Sequence, residues 1–201
     1  ADGSVHVHDS RFTNLHAANG DGGAVAIFKG KLTLTQCNLE GNRARRGGAV
    51  FASGGVLIIR DSLLHSNQAS ADGGALAIDG DAAVLLANGT RLRSNTAAVG
   101  SAFSLGSSGM SMAYGLPAPR GTWVASSDLC REVAPTQPQP CDWMRLPSAL
   151  GLHLSMLPQG TTEDEDYPYS CPPGIVGNSL EPSAQSRPTC AKVCPAQYFC
   201  P

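Results

Sequence analysis

The segment GDGGAVAIFKG at residues 20–30 returns as RRGGAVFASGG at 45–55 and as ADGGALAIDGD at 71–81, then fades into AVGSAFSLGSS at 98–108. A period of roughly 26 residues constrains a chain more than local propensity does. Each repeat is a unit that buries its apolar face only by stacking on the next, which makes the chain a solenoid. A second landmark lies upstream of each glycine pair: Phe12, Leu39, Leu64 and Leu92, spaced 27, 25 and 28 residues apart. Seven residues before it stand Val5, Leu32, Leu57 and Leu85; five before, Val7, Leu34, Ile59 and Ala87; two before, Ser10, Cys37, Ser62 and Thr90. Three residues after it stand Leu15, Asn42, Asn67 and Asn95, and the first repeat departs, with its asparagine at Asn14.

Apolar residues alternate within each segment, as in Leu32-Thr33-Leu34 and Val25-Ala26-Ile27. Period two means strands with one buried face. Three short strands per coil, stacked about 4.8 Å apart, place each residue over its equivalent. The expectation is an all-β, right-handed parallel β-helix of about four coils over residues 1–106. Gly22-Gly23, Gly47-Gly48 and Gly73-Gly74 are expected where the chain turns tightly against a neighbouring coil. Asn42, Asn67 and Asn95 are expected as a corner ladder, each tolerating the left-handed conformation and bonding amide to amide. Cys37 occupies an inward small-residue column and is expected as a buried free thiol that serves packing.

The tandem GGAV…LEGN, GGAV…LHSN and GGAL…LRSN, with the asparagine column in register, resemble the GGA(I/L/V) and FxxN repeats of the chlamydial polymorphic outer-membrane proteins. The resemblance covers residues 3–106. It departs in using Leu at three of four landmarks and in the last pair, Gly100-Ser101. It implies an extracellular, surface-displayed solenoid used for adhesion or assembly, and it carries over no catalytic residue. The tail, with its CPPG and CPAQYFCP turns, resembles the small cysteine-rich modules of receptor ectodomains, of the ephrin-receptor-like and growth-factor-receptor-like type.

Beyond the repeats, residues 107–159 are expected to form a terminal coil or cap, with GTWVASSDLC at 121–130 as one more strand and Trp123 and Trp143 as plugs. Residues 160–170 read as an acidic, solvated linker, and 171–201 as the cysteine-rich module. Glu163–Asp166 lack the spaced ligands and glycine turn of a calcium loop. Six cysteines, Cys130, Cys141, Cys171, Cys190, Cys194 and Cys200, are expected in disulfides in preference to a zinc site. Cys130 and Cys141 bracket a short Pro-rich loop and are expected to pair; Cys171 is expected to pair with Cys190 or Cys194. Asn88, in the sequon Asn88-Gly89-Thr90, is a glycosylation candidate on an outward column with Thr35 and Arg60.

Charged residues make up 15% of the chain and the net charge is −2, which gives no electrostatic case for nucleic acid or anionic lipid. No apolar run approaches a membrane span. The sequence starts without Met or a signal segment and partway through a coil, so it reads as a piece of something longer. Its first coil is expected to be covered by upstream coils or by another subunit. Parallel β-helices also suit acidic-polysaccharide lyases and hydrolases. That alternative rests on Asp9 and Asp61, two coils or about 9.6 Å apart, with Arg11 and Arg60 beside them. His6 and His8 share an outer face without a third ligand for a metal. Arg43, Arg45 and Arg46, with Arg91 and Arg93, are either solvated turn residues or a patch for an acidic partner or glycan. The reading is a non-enzymatic structural or adhesive module of an extracellular surface assembly or filament. It is expected to need no cofactor and no metal, and to have other protein subunits as partners, with glycans as a further candidate.

Overall fold

A computed structural model describes residues 3–106, 111–116, 118–119, 122–124, 128–131, 153–157, 160, 162–171, 175–176 and 192–193. It is an all-β parallel solenoid of about four turns. Three parallel sheets run along it. The longest holds Ser4–His8, Lys31–Thr35, Val56–Arg60, Ala83–Ala87 and Ser111–Leu116, so the solenoid gains a rung beyond residue 106. A corner sheet holds Arg11–Thr13, Asn38–Glu40, Leu63–His65 and Arg91–Arg93. The glycine-pair segments lead into Val25–Ile27, Val50–Ala52, Leu76–Ile78 and Phe103–Leu105. A two-residue ladder, Arg43–Ala44 with Gln68–Ala69, lies between the last two.

The landmark column is as expected: Phe12 pairs with Leu39, Leu39 with Leu64, and Leu64 with Leu92. The inward columns Leu34, Ile59 and Leu39, Leu64, Leu92 are buried in one core with Leu57, Leu76 and Phe103. One correction falls in the fourth coil. Leu57 pairs with Val84 and Ile59 with Leu86, where the sequence count placed Leu85 and Ala87. The cause is a residue inserted at Gly89, between the long strand and the corner. The long strands are therefore 27 residues apart at Val56–Ala83, and the corner strands 28 apart at Leu63–Arg91. Asn88 accordingly shares its column with Asp61, not with Arg60, whose partner is Ala87.

The glycine pairs behave as their sequence implies. Gly22, Gly47 and Gly73 have φ of 73°, 59° and 68°, and a Cβ on Gly48 would lie 2.2 Å from the Gly74 carbonyl oxygen of the next coil. Only glycine fits both a left-handed turn and that approach. The ladder asparagines are not themselves left-handed. That conformation belongs to the residue before each position of the column, Asn14 before Leu15 and Gly41, Ser66 and Ser94 before the three asparagines, at φ between 52° and 65°. Asn14 therefore fills the turn position of the first coil, and Leu15 the ladder position.

The far end is closed by antiparallel chain. His153–Leu157 pairs with Ser111–Leu116, and Asp128–Arg131 pairs with His153–Leu157. Residues 121–130 are thus not one strand: Thr122–Trp123 instead pairs antiparallel with Tyr169–Ser170. The acidic stretch expected as a solvated linker is a strap across the last coil. Thr162–Glu163 pairs with Phe103–Leu105, and Tyr167 exchanges both backbone hydrogen bonds with Leu92. The Asp164 and Asp166 carboxylates accept hydrogen bonds from the Ser101 and Ser94 backbone N–H groups. Tyr167 is fully buried, edge-on to Phe103, Tyr114 and Tyr169. The sequence hides this role because Asp164, Glu165 and Asp166 are exposed and Tyr167 is the one fully buried aromatic of the stretch. The side chain of Trp123, and all of Trp143, lie outside the described residues.

Candidate functional site

The residues with the most specific bonding are those that join one coil to the next. Each ladder asparagine is buried. The Asn67 side-chain amide donates to Leu39 O at 2.9 Å and to Asn95 Oδ1 at 3.0 Å, while its Oδ1 accepts from the Asn42 backbone N–H and from Asn42 Nδ2. The ladder starts where Leu15 N–H donates to Asn42 Oδ1 at 3.0 Å. A second column, read from sequence as small and inward, also carries hydrogen bonds. Ser10 and Ser62 hydroxyls donate to the carbonyls of His8 and Arg60, the Cys37 thiol to Thr35 O at 3.4 Å, and Thr90 to Ala87 O and Ile59 O. Each ties down a corner whose left-handed residue is Asp9, Gln36, Asp61 or Asn88, with φ between 46° and 54°. Cys37 is a buried free thiol, as expected, but it binds as well as packs. The uniform small polar residues Ser, Cys, Ser and Thr were the signal for this.

Outward charge gathers on the glycine sheet. Arg46 bonds to Asp21 at 2.8 Å and to Asp79 at 3.0 Å, and its guanidinium lies 4.5 Å from the centre of the Phe51 ring. Arg45 also pairs with Asp21, at 3.0 Å. Phe28 meets Phe51 edge-on at 6.1 Å and is itself 61% exposed. The bond to Asp21 is the main cause that raises the Arg46 pKa. The Asp79 carboxyl is lowered, first by the Gly80 N–H and then by Arg46, whereas burial raises Asp72 against the pull of Arg46. On this shelf three carboxylates, Asp21, Asp72 and Asp79, thus face two guanidinium groups, and the charges are engaged with one another.

The other candidate residues are dispersed. Asp9 and Asp61 occupy the same corner column with the Gln36 coil between them. Arg11 and Arg91 stand in one outward column of the corner sheet with Asn38 and Leu63, and Arg93 is in register with His65 and Glu40, while Arg43 lies on the two-residue ladder. Of Arg43, Arg45, Arg46, Arg91 and Arg93, Arg45 and Arg46 meet on Asp21, while Arg43 stands on the two-residue ladder and Arg91 and Arg93 on the corner sheet. His6 and His8 are exposed, and among the described residues no group of three or more His, Cys, Asp or Glu is placed to hold a metal. Cys171 is disulfide-bonded. The side chain of Cys130, and all of Cys141, Cys190, Cys194 and Cys200, lie outside the described residues. Asn88 is exposed on its turn.

At the other end of the solenoid, Ser4–His8, Arg11–Thr13 and Val25–Ile27 each have a described neighbour on one side only. Val5, though on an inward column, is 56% exposed there. Among the described residues no helix is long and apolar enough to cross a membrane. Compared with protein-family models, curated proteins and solved structures, the chain matches none.

Proposed function

We propose that the chain is a structural or adhesive module of an extracellular surface assembly, acting through protein contacts and without catalysis. The observation that carries this reading is where the specialised side chains go: ladder amides, the Ser62 and Thr90 hydroxyls, which bond to Cys37 N–H and Ile59 O, and the Asp21–Arg46–Asp79 pairs join successive coils. Such bonding suits a stiff rod, since each repeat contacts its neighbours and these bonds run along the axis. The one-sided edges of Ser4–His8, Arg11–Thr13 and Val25–Ile27 suit pairing with further coils or another subunit. The exposed Phe28 shelf suits a partner protein or the apolar face of a sugar ring. The secretory setting, the cysteine-rich tail, the glycan at Asn88 and the likeness to chlamydial surface repeats belong to this same reading.

Sedimentation velocity over a wide concentration range tests it, run on the chain and on a His6→Pro variant, which removes a backbone donor from the edge strand. Association that the variant abolishes is the expected result. A chain that stays monomeric at every concentration while depolymerising polygalacturonate or alginate would overturn the reading in favour of a carbohydrate-active enzyme.

A further inference from the structure

Asn88-Gly89 and Asn19-Gly20 are both exposed Asn-Gly pairs in turns, but the two turns differ. Asn88 has φ 50°, Gly89 is not left-handed, and Thr90 N–H closes the turn on Ala87 O at 3.3 Å. A positive φ at the second residue alone is the signature of a type II′ turn, whose second residue has ψ near about −120° as the mirror of type II. In an L-residue the Cβ bond lies about 120° from the N–Cα bond around the Cα–C axis, so at that ψ the side chain eclipses the next residue's nitrogen. The Asn88 Cβ is thereby set beside the Gly89 nitrogen, so that rotation about χ1 alone brings Cγ to it, the backbone geometry that a five-membered imide ring between them would require. Asn19 instead takes the third position of a turn closed by Gly20 N–H on Ala17 O at 3.2 Å, with no positive φ. That is the type I signature, with ψ near about 0°, and the ring would need a rotation of about 120°.

A second observation concerns the attacking atom. The Gly89 N–H points at Asp61 Oδ1, 3.4 Å away in the coil below. A Cβ on Gly89 would meet only Asp61, at 3.5 Å and beyond, so Gly89 is open on its solvent side. Nucleophile, electrophile and a proton acceptor therefore share one corner.

We propose that Asn88 is a self-modifying deamidation site. The Gly89 nitrogen attacks Asn88 Cγ, a new N–Cγ bond forms, the Cγ–Nδ2 bond breaks, and ammonia departs carrying the proton that Gly89 loses. Water then opens the cyclic imide at either carbonyl, leaving aspartate or isoaspartate. The net change is one water consumed and one ammonia released. Asp61 aligns the N–H and acts as general base, receiving its proton and passing it to the departing ammonia. The product places a carboxylate in the same column as Asp61, or adds a methylene to the backbone at that corner. Glycosylation on Nδ2 would block the leaving group, so the two modifications compete for one atom.

The test uses the full chain from a host that lacks N-glycosylation, held folded in warm, mildly alkaline buffer. Aspartate and isoaspartate at residues 19 and 88 are followed by peptide mapping. Asn88 is expected to convert on the order of tenfold faster than Asn19, the gain expected from a pre-aligned ring closure, and the two rates are expected to converge in denaturant. Asp61→Gln, which keeps the residue type that Gln36 supplies one coil away, is expected to slow Asn88 and leave Asn19 unchanged. Equal rates in the folded chain, or an Asn88 advantage that persists in denaturant, would overturn the proposal. An unchanged Asn88 rate in Asp61→Gln would remove Asp61 from it.

Discussion

Asn67 uses its whole side chain and its backbone N–H inside the protein: it donates to Leu39 O and Asn95 Oδ1, and accepts from Asn42. Asn67→Ala strands the Leu39 carbonyl and two Asn42 donors at a fully buried position, at about 1–3 kcal/mol for each group that finds no partner. A denaturant midpoint lowered by the equivalent of about 3 kcal/mol or more is expected. Cys37 offers the contrasting case. Cys37→Ser puts a hydroxyl where Ser62 already has one and keeps the donor to Thr35 O, so stability within about 1 kcal/mol of the parent is expected, while Cys37→Val loses the donor and falls further. The two variants' unfolding curves decide whether the column binds or only packs. The asparagine column was legible because the same side chain recurs at one position. The hydroxyl column was harder to read, since a small inward residue and a hydrogen-bonding one look alike in a list of Ser, Cys, Ser and Thr.

Elements that repeat were legible and elements that occur once were not. The strap at residues 162–170 pairs antiparallel with Phe103–Leu105 and holds Ser94 and Ser101 through Asp166 and Asp164, contacts 72 and 63 residues apart in sequence that no periodicity announces. Replacing both aspartates by alanine is expected to speed amide exchange at Leu92, Ser94, Ser101 and Ala102, and to leave Ala49 and Val50 protected, because those are bonded to the Ala75 carbonyl in mid-stack. Equal loosening throughout would show that the strap is part of one cooperative unit. The fourth long strand was misread for a different reason. The count from Leu92 crossed the inserted Gly89, shifting every column upstream by one. Deleting Gly89 makes that corner the same length as those at Asp9-Ser10, Gln36-Cys37 and Asp61-Ser62. The deletion is expected to fold with a melting temperature equal to or above the parent's, as read by calorimetry.

At the scale of the molecule, the apolar core runs from the first coil to a cap of four aromatic residues, Phe103, Tyr114, Tyr167 and Tyr169, and its buried tyrosines set the response to alkali. The Tyr114 hydroxyl donates to Thr90 O at 2.8 Å, whereas the equally buried Tyr167 hydroxyl has no partner. Burial raises both phenols above their ordinary value. Above about pH 10 the unfolded chain loses these protons while the folded chain keeps them. The unfolded state then binds fewer protons, and stability falls as pH rises. Tyr167→Phe is expected to add about 1 kcal/mol at neutral pH, by removing a buried orphan hydroxyl, and to flatten the alkaline fall. Urea titrations between roughly pH 7 and 11 read both effects, and a loss of stability in Tyr167→Phe would mean the hydroxyl is bonded after all.

The single extra residue at Gly89 also says something about how such a chain tolerates change. Its coils differ in length, yet Asn67 and Asn95 meet in the same geometry as Asn42 and Asn67, at 3.0 Å in each case. The corners work as a phase lock: a length error accumulated along one side is discharged in a single turn and is not handed to the next. A rod built this way can vary in its outer turns over many copies while its axis stays true, so its surface is free to diversify without cost to the stack beneath.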